Sequence, residues 1–159
     1  MKKYLLACLC LFLILLSGCS NNKEKEKRET DPTETVEIDN DEEGFAMKLT
    51  ISNTEVPVTW EDNDSVRAIM DMVSEQPLNI QMSMYGGFEQ VGELGQSIVR
   101  DDKQTVTGSG DIVLYSGNSI VIFYGSNSWA YTRLGHIDLS EGQIRDLLGN
   151  EDVRITISR

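Results

Sequence analysis

Gly110-Asp111-Ile112-Val113-Leu114-Tyr115-Ser116-Gly117-Asn118-Ser119-Ile120-Val121-Ile122-Phe123-Tyr124-Gly125 is the stretch that decides the fold. Two short apolar runs rich in β-branched residues, 111–115 and 120–124, flank four small or polar residues. Short apolar runs that are rich in β-branched residues and bounded by turn residues read as strands. The intervening Ser-Gly-Asn-Ser folds the second run back antiparallel to the first.

The same signals recur on both sides. Met47-Lys48-Leu49-Thr50-Ile51 and Val56-Pro57-Val58-Thr59-Trp60 alternate, with Asn53 at the turn between them. Val66, Ile69, Met70 and Val73 stand at i, i+3, i+4 and i+7, which predicts a helix started by Asp64 or Ser65 and ended before Pro77. Leu78, Ile80, Met82 and Met84 alternate with Asn79, Gln81 and Ser83 as a half-buried strand, and a glycine-punctuated loop follows over 85–95. Ser140 with Gln143 three residues later is a capping box for a short helix that Gly149 closes. Val153, Ile155 and Ile157 alternate as a last strand. Many strands, two short helices and tight turns predict a mainly β domain over residues 45–159, with the sheet closed into a barrel so that no edge is left open.

The other end of the chain carries an address. Lys2 and Lys3 precede a nearly unbroken apolar run over 4–16, long enough for a signal peptide and short of the roughly 20 residues a spanning helix needs. Leu16-Ser17-Gly18-Cys19 ends it, which resembles the lipobox of bacterial lipoproteins. Residues 1–18 are therefore expected to be cleaved, and the Cys19 thiol to take a diacylglyceryl group that holds the protein on the outer side of a cell membrane. Of the three cysteines, Cys8 and Cys10 leave with the signal. The mature chain keeps one, which excludes an internal disulfide and a thiolate metal site. Residues 20–44 set ten acids against Lys23, Lys25, Lys27 and Arg28, with only Val36 and Ile38 as large apolar residues. Together with Cys19 they make segment 19–44, predicted to be a disordered acidic tether on the order of 30 Å from end to end.

The whole chain has a formal net charge of −12. Residues 45–159 hold 8 basic and 16 acidic side chains. Nucleic acid and anionic lipid surfaces both require a basic patch, so neither is an expected partner. The expected partners are the membrane, through Cys19, and a peptide or protein.

The runs 110–115 and 120–125, with Leu134-Gly135-His136-Ile137, resemble the cyclophilin-like domain family of bacterial lipoproteins. The resemblance extends over 46–159 and implies a cyclophilin-type barrel of about eight strands capped by two helices. It does not carry prolyl-isomerase activity with it. Cyclophilins place an arginine beside a phenylalanine on the strand after the first helix, followed by Gln-Gly-Gly, and the arginine can stabilise the twisted peptide. Here 78–95 has no arginine or lysine, and nothing basic separates Arg67 from Arg100. Gly86-Gly87 stands without the rest of that motif.

The remaining candidates are weighed by their chemistry. Asp62-Asn63-Asp64 fails as a calcium loop, since loop positions six and twelve would be Arg67 and Val73. His136, the one histidine, has no cysteine or serine motif beside it. Glu89 and Glu93 read as solvated acids. No catalytic residue, metal site or cofactor is assigned. Tyr85 and Phe88 flank the glycine pair, while Trp129, Tyr131 and Arg133 follow the turn Gly125-Ser126-Asn127-Ser128. These five, expected on loops of a rigid barrel, are the candidate ligand-binding set. The sequence thus reads as a lipid-anchored binding module, with a prolyl isomerase using displaced residues as the alternative.

Overall fold

The computed structural model describes residues 46–159; the signal segment, Cys19 and the tether lie outside the described residues. The opening hairpin is present as β8 (Asp111–Tyr115) and β9 (Ser119–Phe123), paired antiparallel with Ile112 opposite Ile122 and Val113 opposite Val121. Ser116 and Gly117 both take positive φ, at 53° and 79°, as the two central residues of a tight hairpin turn must.

Around this hairpin stand β1 (Lys48–Ile51), β2 (Thr54–Val56), β3 (Val58–Trp60), β4 (Leu78–Gln81), β5 (Ser83–Tyr85), β6 (Glu89–Glu93), β7 (Lys103–Val106), β10 (Ser128–Ile137) and β11 (Arg154–Ser158), with helices α1 (Asp64–Met72) and α2 (Glu141–Leu148). The strands form two antiparallel sheets. One runs β2-β1-β11-β4, the other β3-β10-β8-β9-β6-β5 with β7 also paired to β10.

The expected closed barrel of about eight strands is corrected here: there are eleven strands among the described residues, and their ladders do not close. The chain instead turns from one sheet into the other at two corners. Pro57, alone between β2 and β3, has no N–H to continue a ladder. Met82, alone between β4 and β5, donates its amide to Val153 O at 2.8 Å. One core fills the space between sheets and helices, including Leu49 and Ile51 of β1, Ile112 and Leu114 of β8, Ile120 and Ile122 of β9, and Val66, Ile69 and Ile144 of the helices.

Alternation along β8 and β9 sends the other residues outward. Val113, Val121 and Phe123 form a second, smaller core with Tyr131 on the outer face of the larger sheet, with Phe88 and Val91 packed against it. The apolar runs are unbroken because these strands are buried on both faces.

The first helix begins one residue earlier than the sequence indicates. Asn63, not Asp64 or Ser65, is its N-cap, and its side chain accepts from Val66 N at 3.0 Å. Ser140 and Gln143 do form the capping box of α2, and Gly149 is its C-cap. At 9 and 8 residues, neither helix is long enough to cross a membrane.

Three strands, β6, β7 and β10, lie outside the strands expected from the sequence. The stretch expected as a loop over 85–95 contains β6, which joins β5 to β9. Gly92 sits there because a Cβ would come within 2.5 Å of both Ile80 Cγ2 and Met82 Sδ. Gln90 is fully buried and donates to Leu148 O at 2.8 Å and Glu151 O at 2.7 Å, which ties β6 to the end of α2. The polar strand β7 pairs with the first half of β10.

Candidate ligand pocket

The outer core does not cover its whole sheet face, and a cavity of about 300 Å³ opens beside it. Val91 of β6 and Val121 of β9 line it together with Tyr85, Tyr115, Trp129, Tyr131, Asn127 and Glu89. All but Asn127, which hydrogen bonds hold to Thr107, come from strands fixed by the ladder. Gly86 and Gly87, at φ 63° and 76°, turn β5 into β6 and set Tyr85 opposite Glu89. A Cβ on Gly86 would fall 2.4 Å from the Phe88 ring, so the turn and the phenylalanine under it depend on each other.

Phe88 stacks parallel to Phe123 at 6.5 Å. Phe123 meets Tyr131 edge-on at 5.7 Å, and Tyr131 meets Tyr115 at 6.0 Å and 63°. Such offset and edge contacts suit the ring quadrupoles. The Tyr131 hydroxyl accepts from Asn127 Nδ2 at 3.0 Å. Tyr85 and Trp129 stay 68% and 58% exposed, which is costly for large apolar surface and marks the pocket as able to gain from a ligand.

Glu89 is the one ionisable acid in the lining. It is 6% exposed, and its Oε2 has no hydrogen-bond partner. Burial pushes its carboxyl above the ordinary glutamate value. The phenols of Tyr131 and Tyr124 are pushed up first by their own burial and then by the nearby Glu89 charge. The expectation that Glu89 is a solvated surface acid is therefore corrected. A glutamate directly after Gly-Gly-Phe gives no sequence sign of burial, because the hairpin and its register against β9 bury it. Glu93, at the other end of the same strand, is exposed as expected.

A family model described as the cyclophilin-like family matches residues 49–158. The chain belongs to the cyclophilin-like family. Among solved structures, this cyclophilin-like domain is similar to McbB in complex with tryptophan, at TM-score 0.51 and 10% identity, covering 71% of this chain and 44% of that one. The chain thus spans less than half the length of that structure, and the likeness is one of fold. No curated protein sequence matches the chain.

In this cyclophilin-like domain the five residues expected to form one ligand site are divided. Tyr85, Trp129 and Tyr131 line the pocket, Phe88 supports it from below, and Arg133 lines an adjoining cleft whose lining Tyr131 shares. Trp129, Tyr131 and Arg133 are on β10 rather than on a loop. Tyr115 and Asn127 complete the lining without having been singled out.

Arg133 faces a second, polar cleft of about 700 Å³ beside the start of α1. Its Nη2 is 2.8 Å from Asp111 Oδ1 and its Nε 3.7 Å from Glu61 Oε1. Asp111 also contacts His136 Nδ1 at 3.0 Å and accepts from Gly108 N at 2.8 Å. His136 is therefore part of a buried-carboxylate anchor at the β8–β10 bulge. Asp62 and Asp64 both pair with Arg67. The basic groups of this cleft are held in ion pairs, Arg100 with Asp102 at 3.1 Å and Lys103 with Asp101 at 2.7 Å.

Proposed function

We propose that this chain is a lipid-anchored extracytoplasmic binding protein whose cyclophilin-like domain holds a peptide or small ligand without catalysis. The signal, the lipobox ending in Cys19 and the acidic segment behind it support the address. One observation carries the binding reading: a pocket of about 300 Å³ whose aromatic walls, Tyr85 and Trp129 above all, remain exposed around a buried carboxylate whose Oε2 has no partner. Concave, mostly apolar lining with a few fixed polar groups is the usual form of a small-molecule site. McbB, similar in fold, is described in complex with tryptophan, which keeps a small aromatic ligand among the candidates.

The isomerase alternative is less well supported. It needs a guanidinium near a bound prolyl carbonyl, and Arg133 is engaged by Asp111 and Glu61 in the other cleft. The test is to purify the processed protein from detergent-solubilised membranes and identify co-purifying small molecules and peptides by mass spectrometry. Trp129→Ala and Tyr85→Ala should lose what the wild-type protein retains. An identical set from all three proteins would refute the pocket reading, and a prolyl-isomerase rate that Arg133→Ala removes would favour the alternative.

A further inference from the structure

The lining has an unusual chemical balance. Four aromatic rings surround one carboxylate, and the lining contains no lysine, arginine or histidine. Aromatic faces carry negative quadrupole density, so a ring of them beside an acid favours a cation and disfavours an anion. The surrounding field has the same sign, with 8 basic and 16 acidic side chains over 45–159. The Glu89 Oε2 is buried without a donor, a costly arrangement that a ligand N–H or N⁺ would relieve.

The pocket's neighbouring edge argues against a peptide backbone as the main ligand. β5 is the outermost strand of its sheet, so it would be the place for an added strand. Of its three residues, Ser83 and Tyr85 flank Met84, whose outward amide already donates to Asp152 Oδ1 at 2.8 Å. Ser83 Oγ donates to the same carboxylate at 3.2 Å. With that edge closed, recognition falls to side chains alone.

We infer that the pocket binds a small organic ammonium ion, its nitrogen against Glu89 and its apolar groups against Trp129, Tyr85 and Tyr115. This rests on the binding reading above and narrows it. A free amino acid fits less well, because its carboxylate would find no cation in the lining. The source of the ammonium is either a free amine or a lipid headgroup, and the probes below separate the two.

The test titrates the processed protein with choline, with its neutral isostere 3,3-dimethylbutan-1-ol and with glycerophosphocholine, read by Trp129 emission and calorimetry. Choline should bind at least about tenfold more tightly than the alcohol, and Glu89→Gln should remove most of that difference. Trp129→Phe, which keeps a π face, should retain binding, whereas Trp129→Leu should lose about fivefold or more. Both positions are checked by circular dichroism, and the exposure of Trp129 makes its variants safe for folding. Glycerophosphocholine binding as well as choline identifies a lipid headgroup as the source; weaker binding identifies a free amine. Equal affinity for choline and the alcohol, lost in Trp129→Leu, overturns the ammonium inference and leaves the binding pocket standing. Binding of neither probe, with nothing co-purifying that depends on Trp129, overturns both.

Discussion

Arg133 Nη2 lies 2.8 Å from Asp111 Oδ1, and this pair holds the arginine in the polar cleft rather than in the aromatic pocket that Trp129 lines, with Tyr131 bordering both. Asp111 is buried while Arg133 is half-exposed, so the pair is screened on one side only. Arg133→Ala leaves the carboxylate with His136 and the Gly108 amide. The expected loss is about 1–2 kcal/mol of stability, less than for a fully buried pair. The measurement is the denaturant midpoint at unchanged slope. Ligand retention by the pocket should not move.

The same pair bears on catalysis. With Arg133 engaged, a prolyl-isomerase assay should show little rate above the uncatalysed reaction, which takes tens to hundreds of seconds. Robust activity that disappears in Arg133→Ala, with the fold intact, would overturn the non-catalytic reading. Activity that survives the substitution would overturn it too, and would leave Arg133 without a catalytic role.

Gln90 joins two elements through one side chain. Gln90→Leu removes the donors to the Leu148 carbonyl at the end of α2 and to the Glu151 carbonyl beyond it. The cost should be about 1–3 kcal/mol, since the buried Leu148 carbonyl is left without a partner. Hydrogen exchange should speed up at the end of α2 more than in β8 or β9. Uniform acceleration throughout the domain would show that the contact is not local.

What could be read from the sequence follows from where each residue's signal originates. β8 and β9 were legible because both faces of each strand are apolar, and α2 because a capping box is local chemistry. β6 was not, because Gly92 and Gln90 break the apolar pattern for reasons that arise only in the tertiary structure: one gives way to Met82 and Ile80, the other serves α2. The barrel was expected to close because strand count speaks for closure, but Pro57 and Met82 act at single positions that a count does not see. At the pocket, Tyr85, Trp129 and Tyr131 are legible as aromatics close to turns. Glu89 was missed because its burial comes from pairing with β5 and β9, not from its neighbours in sequence. Proximity in sequence places Arg133 with Trp129 and Tyr131, but it does not show that Asp111 competes for the guanidinium.

The proposed lipobox, Leu16-Ser17-Gly18-Cys19, yields a direct test of the proposed address. Cys19→Ser removes the thiol that would take the diacylglyceryl group. Two acyl chains, at about 0.8 kcal/mol per buried methylene, hold a protein stably at a membrane. The variant should stay unprocessed or appear in the soluble fraction. Normal processing and unchanged membrane fractionation would refute lipidation at this residue.

Glu89 makes a prediction about pH whose sign is fixed by its burial. Its carboxyl is pushed above the ordinary 4.5, so between that value and its folded value the native state holds a proton that the unfolded chain has lost. Stability then falls as pH rises through this window; the contribution is fully present below the ordinary value and lost above the folded one. Glu89→Gln keeps the shape and cannot ionise. Its thermal midpoint should match the wild type in acid and exceed it at neutral pH, the gap opening as pH climbs past 4.5. Tyr124 and Tyr131 are raised above their ordinary 10.0 and stay neutral throughout, so they add nothing to the difference. The measurement is a pair of melting series from about pH 4 to about pH 8. A gap that does not change with pH would mean that Glu89 titrates alike in both states, against its burial. Choline at saturating concentration should narrow the gap at neutral pH, because it stabilises the protein that keeps the carboxylate more than the variant that lacks it.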